Sequence, residues 1–142
     1  MFKHIIFPTD GSKHSWKAAE YAKSLAKQFG SDILVVYAFP KVPSYLGLEQ
    51  MEKVAAKHIA EGEKITSQFV EFFKKEGIPV DVEIVEGPPA QAIIRIAETR
   101  DCSLIVMGAR GLGSLEGLLL GSVSQKVLEH SKCPVFIVRG GD

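Results

Sequence analysis

The chain has 142 residues, within the roughly 100–200 expected of one domain. Its 46% hydrophobic content is enough for a buried core, which excludes intrinsic disorder and a mini-protein held by disulfides or zinc. Lys+Arg and Asp+Glu both number 17, so the chain lacks the basic excess of a dedicated DNA or RNA backbone binder.

His4-Ile5-Ile6-Phe7 reads as a first strand, followed by Asp10-Gly11-Ser12, a cluster suited to capping a helix start. In the first helix Ala18, Ala22, Leu25 and Phe29 share one face, Lys13, Lys17, Glu20 and Lys27 take the other, and Gly30 ends it. Ile33 to Ala38 is apolar on both faces, as a central parallel strand is. After a Pro/Gly-containing loop at 39–48, a long helix is expected over about Glu49 to Glu76. Met51, Ala55, His58, Gly62, Ile65, Phe69 and Phe72 form its apolar stripe. Val80 to Ile84 alternates apolar and polar residues, which predicts an edge strand. Gly87-Pro88-Pro89 forms a turn into a third helix whose buried face is Ala90, Ile93, Ile94 and Ala97. Leu104 to Met107 is a fourth strand, Gly108 to Leu120 a glycine-rich loop, Gly121 or Ser122 to Ser131 a last helix, and Val135 to Val138 a fifth strand. The alternation predicts a single α/β domain over residues 1–142, a doubly wound parallel sheet with helices on both faces. Ligands of such sheets bind past the strand C-termini, where Asp10, Ala38 and Gly108 fall.

The longest apolar run, Ile33 to Phe39, spans seven residues, against the roughly 18 of a membrane helix. The apolar stretch at the N-terminus is too short for a secretory signal and has no cleavage site, so a cytoplasmic protein is expected, with no membrane partner. Cys102 and Cys133 lack Cys-x-x-Cys spacing and are expected to be buried free thiols rather than a disulfide or metal ligands. His4, His14, His58 and His130 show no metal spacing, and His58 falls on the apolar stripe of the long helix. Trp16, Phe69, Phe72 and Phe73 are expected in the core.

Chemistry concentrates in Gly108-Ala109-Arg110-Gly111-Leu112-Gly113-Ser114 and in Gly121-Ser122-Val123-Ser124. Closely spaced glycines let backbone amides approach a ligand, and Gly121-Ser122 opens a helix whose N-terminus favours anions. Together these describe a phosphate cradle; a flexible loop with a glycine cap is the alternative. A Walker A loop is excluded because Ser114 stands where its lysine belongs. The spacing Gly-x-x-Gly-x-Gly is likewise not that of a Rossmann fingerprint.

Gly108-x2-Gly111-x9-Gly121-Ser122 resembles the Gly-x2-Gly-x9-Gly-[Ser/Thr] motif of the ATP-binding branch of the universal stress protein family. Ile5-Ile6-Phe7-Pro8-Thr9-Asp10-Gly11-Ser12 and Cys133-Pro134-Val135-Phe136-Ile137-Val138 are similar to that family's opening and ending. The resemblance implies strand order 3-2-1-4-5, with ATP across the strand C-termini. It implies Pro8, Thr9 and Asp10 beside adenine and ribose, with the Ala38 main chain at the adenine edge. Met107, Gly108 and Gly111 would lie against the ribose and first phosphate. Gly113, Ser114, Gly121, Ser122, Val123 and Ser124 would serve the phosphates, and Arg110 sits in the variable part of the loop. Magnesium or manganese would be held mainly by the phosphates, with no metal site in the protein. The resemblance also suggests a homodimer through Val135, Phe136, Ile137 and Val138, an edge strand apolar on both faces that invites pairing.

The leading expectation is therefore an ATP-binding stress-response switch with an unknown protein partner and at most slow hydrolysis. No phosphate-loop lysine and no general base beyond Asp10 support fast phosphoryl transfer. Alternatives are a nucleotide-using transferase or hydrolase on the same fold, and an interaction module without nucleotide. A phospho-acceptor domain fails because strand three ends in Glu86-Gly87 and strand five in Arg139-Gly140.

Overall fold

The computed structural model describes residues 1–111 and 119–140. Its strands are β1 (His4–Pro8), β2 (Asp32–Phe39), β3 (Val80–Glu86), β4 (Leu104–Gly108) and β5 (Val135–Val138). Its α-helices are α1 (Lys13–Phe29), α2 (Leu48–Lys74), α3 (Pro89–Thr99) and α4 (Ser122–His130), with a short 3-10 turn at Ser44–Leu46. The strands form one parallel sheet of order β3-β2-β1-β4-β5, as expected.

Side chains alternate across each strand, and in the central strands β1, β2 and β4 both sets are largely apolar. Ile5, Phe7, Ile33, Val35, Leu104 and Val106 pack under α1 and α2, against Ala18, Ala19, Ala22, Phe69 and Phe73. Ile6, Leu34, Val36, Ile105 and Met107 pack under α3 and α4, against Ala90, Ile93, Ile96 and Val127. Each large side chain so buried contributes on the order of 1.5–3 kcal/mol. Connections running outward from β1 lay their helices on one face, and those beyond β3 lay theirs on the other. The order therefore reverses between β1 and β4, and a crevice opens at their C-terminal ends.

Several expectations need correcting. Beyond buried His14 and Ser15 in its first turn, α1 buries alanines (Ala18, Ala19, Ala22, Ala26); Phe29 is 42% exposed, its ring edge-on to Phe2. The cluster Asp10-Gly11-Ser12 does cap α1, as expected, through Ser12, whose Oγ accepts from Ser15 N at 3.3 Å. The long helix starts at Leu48 and ends at Lys74, and its buried stripe adds Thr66 and Phe73. His58 is half-buried and stacks on Phe39, ring centroids 5.1 Å apart. β3 is an edge strand but runs on to Glu86, and its faces are not cleanly divided. Val82 is exposed, while half-buried Glu83 accepts from Arg100 at 3.2 Å. Cys102 and Cys133 are free, as expected, but only half-buried, and their Sγ atoms lie 3.3 Å apart. Among the described residues no helix is long and apolar enough to cross a membrane.

Candidate functional site

The crevice is lined by Pro8, Thr9 and Asp10 at and beyond the end of β1, Ala38 near the end of β2, and Met107, Gly108, Arg110 and Gly111 at and beyond β4. Gly121, Ser122, Val123 and Ser124 line it from the start of α4. The structure thus brings together the sequence-predicted site residues; Gly113 and Ser114 lie outside the described residues. Ser15, Val36, Pro89 and Ile93 complete the lining and were not foreseen. Pro89 and Ile93 are four apart on α3, so the Pro88-Pro89 helix start was the available signal, but only the packing of α3 aims that face at the crevice.

One wall is the turn between β1 and α1. Thr9 N donates to Val36 O at 2.9 Å, which holds the turn to β2. Thr9 Oγ1 accepts from Gly11 N at 3.0 Å and lies 2.8 Å from Ser15 Oγ. Because Ser15 Oγ donates to Ser12 O at 3.0 Å, Thr9 supplies the proton between the two hydroxyls. The Thr9 hydroxyl is therefore committed to shaping the turn. Asp10 Oδ1 accepts from Ser12 N at 2.9 Å, an Asx-type bond that sets the carboxylate at the crevice mouth. The field of Asp10 reaches Tyr37. Burial first, then the carboxylates of Glu61 and Asp10, push the Tyr37 phenol up from its ordinary value.

The facing wall is the chain that leaves β4. Ala109 N donates to Val138 O at 2.8 Å, and Ala109 O accepts from Gly121 N at 2.7 Å. The buried Ser124 hydroxyl also donates to Ala109 O. The two ends of the glycine-rich segment are thus clamped to each other, and Ser124 belongs to that clamp. A side chain at Gly108 would meet the His14 carbonyl at 3.0 Å, and one at Gly111 would run into the Asp10 carboxylate. At Gly108 the facing atom is backbone, so a side chain has little room; at Gly111 the carboxylate itself would have to shift. His14, buried at the start of α1, binds Gly140 O through Nδ1 at 3.1 Å and so ties down the chain after β5.

α4 begins at Gly121, which offers no side-chain cap. Its first amides and the positive end of its dipole therefore face a lining that also carries the Arg110 guanidinium. Val36, Ala38, Pro89, Ile93 and Met107 form an apolar side suited to a flat ring. Among the described residues no group of His, Cys, Asp and Glu could hold a metal ion.

Residues 1–139 match the Universal stress protein family. A Thermus aquaticus universal stress protein, described as encoded in a QAH/OAS sulfhydrylase 3' region, is 41% identical over 98% of this chain and 100% of its own length. The solved structure of MJ0577, a universal stress protein of Methanocaldococcus jannaschii, superposes with TM-score 0.91 at 27% identity, covering 99% of this chain and 97% of that one. A universal stress protein solved in complex with cAMP gives TM-score 0.71 at 27% identity over 97% of both chains. A match that runs through all five strands, with a relative matched along its whole length, leaves one assignment: the chain belongs to the universal stress protein family.

Proposed function

We propose that the crevice binds an adenine nucleotide, ATP with magnesium or manganese, and that the chain acts as a homodimeric regulatory switch in the stress response, with at most slow hydrolysis. The observation that carries this reading is the pairing of unlike halves at one strand-order reversal. An apolar slot ends at the Asp10 turn, and an anion-seeking half is made by Gly108, Gly111, Arg110 and the open end of α4. In this reading the apolar slot takes the base and Asp10 accepts from a ribose hydroxyl. Backbone amides of Gly111 and of Ser122 to Ser124 hold phosphate oxygens, with Gly113 and Ser114 added from the glycine-rich segment. The phosphates would carry the divalent ion. The neighbour solved with cAMP supports the class of ligand.

Calorimetric titration of nucleotide-stripped protein with ATP and magnesium tests it. About one ATP per chain at micromolar affinity is the expected result, corresponding to roughly 8 kcal/mol. No binding at millimolar ATP overturns it. Parallel titrations with AMP and cAMP establish how much of the affinity depends on the terminal phosphates.

A further inference from the structure

At the end of the sheet away from the crevice, Cys102 precedes β4 and Cys133 precedes β5. Their Sγ atoms are 3.3 Å apart. Cys102 Sγ donates to Leu104 O at 3.1 Å, and Cys133 Sγ donates to Cys102 Sγ. Ser131 Oγ accepts from Cys133 N at 3.2 Å and donates to Cys133 O at 2.9 Å, which fixes the backbone of Cys133. Both thiols are half-buried and line a surface depression with Glu98, Asp101 and Lys132. Neither has a place in the nucleotide reading. Two thiols in contact, on neighbouring strand starts, and opening to solvent are the arrangement that oxidation converts to a bond with little backbone movement.

We propose that Cys102 and Cys133 form a redox-responsive pair that hydrogen peroxide converts to an intramolecular disulfide and a thiol reductant restores. Cys133 loses its proton and its sulfur attacks one peroxide oxygen. The O–O bond breaks, the other oxygen leaves as water, and Cys133 becomes a sulfenic acid. The Cys102 sulfur then attacks the Cys133 sulfur. An S–S bond forms, the S–O bond breaks, and the hydroxyl leaves as a second water with the Cys102 proton. Two thiols give up two electrons and two protons, and the peroxide is reduced to two waters. The order of attack follows from the environment of Cys102. Burial pushes its thiol up to about 12, so it is a poor first nucleophile. Attack on an adjacent sulfenic acid is the step left to it.

The test is mass spectrometry of the intact full-length protein, free of nucleotide, after hydrogen peroxide treatment with alkylation of remaining thiols. The expected result is loss of two hydrogen atoms from a single chain, both cysteines protected from alkylation, and a Cys102–Cys133 cross-linked peptide that dithiothreitol resolves. Cys102→Ser should accumulate a dimedone-reactive sulfenic acid at Cys133, and Cys133→Ser should leave Cys102 unmodified under the same treatment. Retention of both free thiols in the wild type overturns the proposal. So does oxidation to sulfinic acids without a cross-link, or a disulfide between two chains. The readout needs no nucleotide, so failure of one reading leaves the other standing.

Discussion

Asp10 combines two tasks that mutation can separate. Its Oδ1 accepts from Ser12 N, a bond of about 1 kcal/mol that shapes the turn. Its charge at the crevice mouth is what the nucleotide reading uses. Asp10→Asn keeps an oxygen that can accept from Ser12 N, so thermal unfolding should stay close to wild type. The carboxylate is lost, and ATP affinity should fall about tenfold, roughly 1.4 kcal/mol. Asp10→Ala should lose affinity and about 1 kcal/mol of stability. If calorimetry finds ATP affinity unchanged in both variants while Asp10→Ala unfolds earlier, Asp10 serves only the turn. Gly111 gives a sharper contrast. A methyl there collides with the Asp10 carboxylate, so in Gly111→Ala that carboxylate must shift from its place at the crevice. We expect a loss of ATP affinity of about tenfold or more, with little change in unfolding because Gly111 is half-exposed outside any helix or strand.

At the scale of elements, α2 lies against the sheet because Gly62 lets it. A Cβ at Gly62 would stand 2.6 Å from Tyr37 Cδ1 and 3.2 Å from Ile84 Cγ2. Gly62→Ala gains about 1 kcal/mol of helix propensity and incurs about 1–3 kcal/mol of overpacking. Packing should win, so chemical denaturation should show a net loss of about 1 kcal/mol. A gain would mean that Tyr37 swings aside at no cost. The last turn of α1 is joined to the chain just past α2 by Lys27 Nζ and Glu76 Oε1 at 2.9 Å. That hydrogen bond, then the lysine's charge, lowers the Glu76 carboxyl below its ordinary value. A lowered carboxyl contributes stability above its unfolded-state value of about 4.3 and loses it as pH falls through the folded value. Melting temperature should therefore drop in acid below about pH 4.3, and Lys27→Met should flatten that drop, as should high salt. These elements also mark how far the sequence could be read. Among the described residues periodicity located each α-helix and strand, because two-faced apolar strands and amphipathic helices follow from local spacing, but it read the 3-10 turn at Ser44–Leu46 as loop. It misplaced Phe29 because it ranks residues by hydrophobicity, whereas α1 meets the sheet through flat alanines and leaves the large ring to Phe2. In the crevice, residues directly following β1 and β4 were legible as glycines and an aspartate at strand ends. Ser15, Val36, Pro89 and Ile93 line it only through how helices settle on the sheet, which local spacing does not encode.

Among the described residues of the whole molecule, β5 is unpaired on its outer side within one chain. Pro134 O and Val138 O accept from β4 and its extension, so the alternation of the ladder turns the backbone groups of Val135 and Ile137 outward. Phe136 is 37% exposed and Tyr21 of α1 is 44% exposed, with their rings 5.8 Å apart. An open edge beside two exposed aromatic rings is a surface that a second copy can complete by antiparallel pairing, which is self-complementary about a two-fold axis. In a four-residue strand paired with its own copy, Phe136 lies within about one residue of that axis. Phe136→Glu would therefore set two carboxylates near each other across the junction, where like charges repel. Light scattering at micromolar concentration should give twice the 15.5 kDa chain mass for the wild type and a single chain for Phe136→Glu. Circular dichroism of the variant should be unchanged, because the side chain already reaches solvent in one chain. A wild-type mass of one chain would overturn the dimer and leave the edge to Pro134 and Arg139, the residues that flank β5 and blunt it.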